Sequence, residues 1–168
     1  SGILKTLGKK NHVNIDKLNK IPKQNNYLKY LKYLIPLAFL LFMGFLLGTK
    51  GLNVTLNALV IWFLANGVFS ALGAIVAKAH PISILTAFLA APFTSLHPAI
   101  AAGWLVALTE TKFNSPRVKD FENLDQVSSI KGFYNNKVTH LLIVTALTNI
   151  GSIIGTIIAL PFLVELLL

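Results

Sequence analysis

The chain has 168 residues, 54% of them hydrophobic and only 12% charged, with a formal net charge of +9. A mean hydropathy of +0.66 and long uncharged stretches exclude an ordinary soluble domain, whose helices alternate apolar and polar faces, and point to a polytopic membrane protein. The absence of cysteine excludes disulfides and thiolate chemistry. The lysines abut hydrophobic runs without any nucleic-acid-binding signature, so the basic balance reads as affinity for a lipid bilayer and nucleic acid is excluded as a partner.

Residues 1–30 read as a basic juxtamembrane linker rich in Lys and Asn, in which Pro22 interrupts any helix. The chain starts Ser1-Gly2 rather than with methionine, as the C-terminal part of a longer protein does. The first apolar run comes too late for a signal peptide. A polytopic membrane domain follows over 31–168. Its first helix covers about 31–49. Tyr27, Tyr30 and Tyr33 interleave there with Lys29 and Lys32, as an interfacial belt of aromatic rings and snorkelling lysines does. Pro36 falls in the first turns, where it is tolerated. Gly51 to Asn53 make a turn, and the second helix covers about 54–78. It carries Asn66, Ser70, Gly73, Ala74 and Ala77 at steps of three or four, a small and polar face suited to packing against another helix.

The next apolar segment, Ala79 to Glu110, is broken by Pro81, Pro92 and Pro98. The units His80-Pro81 and His97-Pro98 are expected to open two short helices, 81–91 and 98–111, since proline suits a first helical turn. Neither reaches across about 30 Å of hydrocarbon. The polar stretch 112–137 contains the break Asn114-Ser115-Pro116 and a solvated face of Asp120, Glu122 and Asp125 among Arg117, Lys119 and Lys131. The last helix covers about 138–162. There Gly151 and Gly155 form a GxxxG, Ala159 extends it, and Thr148, Ser152 and Thr156 make a polar stripe beside it. The fold class is therefore all-α integral membrane: three full transmembrane helices plus a Pro-broken, re-entrant half-helix pair, four hydrophobic segments in all.

Re-entry rests on charge. The lysines before Tyr33 place the N-terminus in the cytoplasm of a multi-pass cell-membrane protein. The second helix then returns inside near Lys78. A single crossing by the broken segment would put Lys112, Arg117, Lys119, Lys131 and Lys137 outside, against the positive-inside rule. A re-entrant hairpin keeps them inside.

Intramembrane ionisable groups are rare and often functional, which singles out His80, His97, His140 and Glu110 as polar or path-lining candidates, with Asn66 and Asn149. Their spacing forms no compact ligand motif, so no metal and no cofactor are expected. The plain reading of the histidines is helix capping and hydrogen bonding within the bundle. Ser70, Gly73, Gly151, Ser152 and Gly155 are expected to pack helices, including copies of the chain into a homo-oligomer. Asn66 with Ser70-x-x-Gly73, and Asn149 with Ser152-x-x-Gly155, hint at a two-fold repeat, but their Asn–Ser offsets differ by one. No P-loop, nucleophile elbow, HExxH or close acidic pair is present, so no catalytic residue is assigned.

The blocks LANGVFSALGAIVAKAHPISILTAFLAAPFTSLHPAIAAGW, PRVKDFENL, IKGFYNNKVTHLLIV and NIGSIIGT, over roughly residues 60–160, resemble the C-terminal membrane domain of the TraB, or pheromone-shutdown, family. The resemblance implies an N-terminal domain outside this chain, related to the Tiki and erythromycin-esterase-like group of proposed metalloproteases. Its glycine-histidine and glutamate motifs have no match here. The implied function is a noncatalytic membrane module that anchors and assembles that peptide-inactivating domain. The alternative is a transporter or channel whose peptide or ion path runs along the His-Pro half-helices. A membrane-embedded hydrolase using the histidines is the third reading.

Overall fold

A computed structural model describes residues 26–97 and 100–167. The expected linker therefore falls almost wholly outside the described residues, as does Pro98. Every regular element within them is helical: α1 (Asn26–Thr49), α2 (Leu52–Val76), α3 (Pro81–Thr94), α4 (Ala102–Phe113), α5 (Val118–Glu122), a 3₁₀ turn (Leu124–Gln126), α6 (Ile130–Asn135) and α7 (Lys137–Glu165).

Helices α2 and α7 are the frame. With 25 and 29 residues, they are, among the described residues, the two helices long and apolar enough to cross a membrane. The third full span expected from sequence is not matched in the same way. Helix α1 has 24 residues, but its apolar part, Tyr33–Thr49, is a shorter stretch. The frame is packed inside out relative to a soluble bundle. Most of its buried positions are small or polar, among them Ala58, Asn66, Gly67, Ser70 and Ala74 on α2 and Thr148, Gly151, Ser152 and Gly155 on α7; Trp62, Val144 and Leu163 are the large apolar exceptions. Its exposed positions are large and apolar, such as Leu56, Val60, Leu72, Leu142, Ile153 and Ile157. In water that exposure would be unfavourable over an area this large. Only 28% of the most apolar 18 residues of each helix is buried within the described residues.

The two helices run antiparallel at very close approach. A β-carbon on Gly73 would overlap the Leu147 carbonyl, and on Gly151 and Gly155 the carbonyls of Phe69 and Ala65. The expected GxxxG is therefore used inside the chain. The bare Cα surfaces admit the neighbouring backbone, which is how helices gain dispersion contacts where no hydrophobic driving force exists between them.

The Pro-broken segment forms a hairpin. Helix α3 starts at the C-terminal end of α2 and descends beside it, with Phe88 against Gly67 and Pro92 beside Trp62. Helix α4 climbs back along α7, from Asn149 to the level of His80. Both arms thus open on the same end of the frame. Each arm is longer or later than the proline pattern predicts. Helix α3 continues through Pro92 to Thr94. The ring removes one hydrogen bond and frees the Phe88 carbonyl, which faces Gly67 at the α2 contact. Helix α4 begins at Ala102, capped by Ala101, rather than at His97-Pro98. The long helices also differ modestly from the expected 54–78 and 138–162.

The α5–α6 segment caps the end where the hairpin opens. Asn136 Nδ2 donates to the Asp120 carbonyl and Tyr134 donates to the Val76 carbonyl at 3.2 Å. Lys78, Lys112, Arg117, Lys119, Lys131 and Lys137 consequently gather at this end, hereafter the basic end. Lys50 and Glu165 mark the opposite one. Helix α1 packs antiparallel to α2 near the far end, where Met43 and Leu46 join Ala58, Trp62, Ala159 and Leu163 in one cluster.

Candidate functional site

Two polar sites sit at the two ends of the hairpin. At its base, Glu110 is fully buried. Its Oε2 accepts from the His80 backbone N–H at 2.8 Å, and its Oε1 accepts from Asn114 Nδ2. The Ser83 hydroxyl adjoins the same carboxylate without closing a well-formed hydrogen bond, and His140 stands in the same cluster. A carboxylate here satisfies a free amide at the start of α3 and complements the positive end of that helix. The contact joins residues 30 apart in sequence and so closes the hairpin.

His80 is the N-cap of α3. Its Nδ1 accepts from Ile82 N at 3.3 Å, and its ring stacks on Phe113 with centroids 3.7 Å apart, tying both arms together. His140 Nε2 lies 2.9 Å from the Ala77 carbonyl. That partner only accepts, so Nε2 carries the proton. The ring thereby fastens α7 to the end of α2. Lys78 follows with φ at +59°, an unusual conformation for a residue with a β-carbon, and its ammonium sits 5.3 Å from the Tyr134 ring centroid.

At the hairpin's tip, halfway along α2 and α7, lies the second site. Asn66 donates to the Trp62 carbonyl at 3.1 Å and accepts from Thr156 at 2.8 Å. Ser70 donates to the Thr148 carbonyl at 3.2 Å. Asn149 Oδ1 accepts from Gly103 N at 2.7 Å, satisfying a first-turn amide of α4. Trp62 Nε1 donates to the Pro92 carbonyl at 3.0 Å, one of the carbonyls left over where α3 ends. Beside these bonds an open recess of about 460 Å³ is lined by His97, Ala102, Asn149, Ser152 and Thr156 among others. The Nδ1 of His97 is buried there without a partner.

The structure therefore divides the residues singled out by sequence. His80, Glu110 and His140 meet at the base. Asn149 and Ser152 line one recess with His97 at the tip, and Asn66 adjoins it through Thr156. The twin His-Pro units are not equivalent: His80 caps a helix, whereas His97 follows one. Asn66 and Asn149 are not equivalent either, because one bridges α2 to α7 and the other holds α4. Among the described residues no three His, Asp or Glu side chains converge as a metal ligand set. Sequence reasoning missed Asn114, Trp62 and Gly103. Only Asn114 carried a signal, since it stands one helical turn after Glu110.

Comparison with known proteins gives two findings. The family model described as "TraB family protein, C-terminal domain" matches residues 27–168. An uncharacterized protein of Methanocaldococcus jannaschii is 38% identical over 96 residues, which covers 56% of this chain and 24% of that protein. The chain thus spans about a quarter of the relative's length. No solved structure matches the chain.

Proposed function

The chain belongs to the TraB family as its C-terminal domain, and from that premise we propose that it is the membrane-embedded module of a larger pheromone-shutdown protein. It anchors and assembles an N-terminal, peptide-inactivating domain of the proposed metalloprotease type, and the chemistry lies outside this chain. The observation that carries the reading is the inside-out packing of α2 and α7, with glycine, serine and asparagine inside and leucine, isoleucine and valine outside. Such a surface is stable in hydrocarbon, where only small-residue contacts and internal hydrogen bonds hold helices together.

In this reading α1, α2 and α7 cross the bilayer, the α3–α4 hairpin re-enters, and the basic end faces the cytoplasm. Residues 1–30 lead toward the N-terminal domain on that side, and copies of the module associate through lipid-facing surfaces. The gathering of Lys78, Lys112, Arg117, Lys119, Lys131 and Lys137 at one end supports the orientation. The chain has no native cysteine, so single cysteines test it cleanly. In intact cells, Lys131→Cys is expected to resist a membrane-impermeant thiol reagent, while Lys50→Cys reacts. Labelling of Lys131→Cys from outside overturns the topology.

A second reading, a conduit for a peptide or ion, draws on the open recess at the hairpin tip. It predicts solute flux through liposomes bearing this chain, abolished by His97→Gln. An anchor predicts no flux and an unchanged full-length activity.

A further inference from the structure

The recess at the hairpin tip does not end at its polar wall. Ser95 and Thr156 also line a neighbouring groove of about 490 Å³, which is walled by Phe39, Phe42, Trp62, Leu96, Leu160 and Leu163. One cavity is polar and the other almost wholly apolar, and they meet at two shared residues. Their sizes fall within the range of about 300–1,000 Å³ typical of small-molecule sites.

The polar half is a set of donors. The N-terminus of α4, a helix of 12 residues, opens into it, and helix N-termini favour anions. Asn149 spends its carbonyl oxygen on Gly103 N, which leaves its amide N–H groups for the recess. Ser152, only 8% exposed, stands on the wall of the recess. The buried Nδ1 of His97 has no hydrogen-bond partner. No acidic side chain lines the recess among the described residues. A buried polar group without a partner costs free energy unless a ligand supplies one.

We propose that recess and groove together bind one amphiphile with a compact anionic head and a single apolar chain, of the long-chain carboxylate class. The head accepts hydrogen bonds from Asn149, Ser152 and His97 at the N-terminus of α4. The tail lies along Trp62 and the phenylalanines of α1, below the hairpin tip. This site goes beyond the anchoring role and does not depend on it.

The chain's two tryptophans provide the assay. Trp104 is replaced by Phe, leaving Trp62 as the reporter in the groove. The full chain in lipid nanodiscs is titrated with stearate brominated at mid-chain. The expected result is saturable quenching of Trp62, reversed by unbrominated palmitate. The matching brominated alcohol and alkyltrimethylammonium are expected to bind at least about tenfold more weakly, the worth of one hydrogen bond to a charged group. Ser152→Ala, a minimal change, shifts the carboxylate titration by about tenfold. Quenching that tracks only the bromine content of the bilayer, given equally by brominated phospholipid, overturns the proposal in favour of bulk lipid. A Trp62 shielded from every brominated species overturns it in favour of a second copy seated in the groove. Equal binding of all head groups, or indifference to Ser152→Ala, overturns the assignment of the head.

Discussion

The two halves of the bundle solve the same packing problem in opposite ways. Toward the basic end, α2 and α7 with the two arms of the hairpin close around Ala74, Ala77, Ala79, Ala87, Val106 and Val144. Backbones nearly touch, and hydrogen bonds between elements are frequent. Toward the far end the hairpin is gone, and α1 takes its place beside α2 and α7. The core there sets Met43, Leu46, Trp62 and Leu163 around Ala58 and Ala159, and an apolar groove remains under the hairpin tip. The difference shows what a half-length insertion does to a helical bundle. Small residues let extra backbone into one half, and the other half fills the same width with large side chains and leaves a gap.

The strongest way to break this comparison is to thicken the close-packed half. Gly151→Leu drives a side chain into the Phe69 carbonyl, where neither backbone can yield. The expected cost is about 3 kcal/mol or more, or failure to assemble, read by unfolding in mixed micelles. The same change at Gly44, where a β-carbon meets nothing within 4 Å, is expected to be nearly silent. Equal effects at the two glycines would erase the distinction between the halves.

Next in size is the base of the hairpin. Glu110→Ala leaves the His80 N–H and the Asn114 amide without their acceptor, at an expected cost of about 1–3 kcal/mol. Glu110→Gln retains one acceptor oxygen and recovers part of that loss. A double-mutant cycle with Asn114→Ala isolates the pair, and additivity there would mean that the carboxylate does not close the hairpin. Smaller again is Trp62→Phe, which removes the bond to the Pro92 carbonyl while keeping the ring. About 1 kcal/mol is expected. Leu142→Ala closes the series: this side chain is 64% exposed, and less than about 0.5 kcal/mol is expected in micelles.

Much of this architecture was legible in the residues because the bilayer-type pattern is simple. Asn66, Ser70, Gly73 and Ala74 at helical spacing marked the α2 contact face, and the lysines of 112–137 argued that the hairpin returns to the end it left. The proline positions were a poorer guide. Pro92 reads as a break, yet α3 runs through it. One lost hydrogen bond is tolerable near a helix end, and the freed Phe88 carbonyl turns toward Gly67. His97-Pro98 reads as a helix start, yet α4 begins later at Ala102. Nothing local distinguishes the two His-Pro units. The difference comes from Glu110, which meets the amide of His80, and that pairing exists only after the hairpin has folded. The links from Trp62 to Pro92 and from Asn149 to Gly103 are equally tertiary, each joining groups at least 30 residues apart.

One consequence of the Glu110–His80 contact concerns how such a module is built. The chain leaves the end of α2 and comes back to it, so the points of departure and return lie a single hydrogen bond apart. Topologically the hairpin is an insert: excising it and rejoining the chain there would leave α2 and α7 still antiparallel, with their termini on the same sides as before. In topological terms the paired long helices are a chassis whose direction does not depend on what hangs between them. A hairpin of another length or tip chemistry would leave the orientation of the rest unchanged.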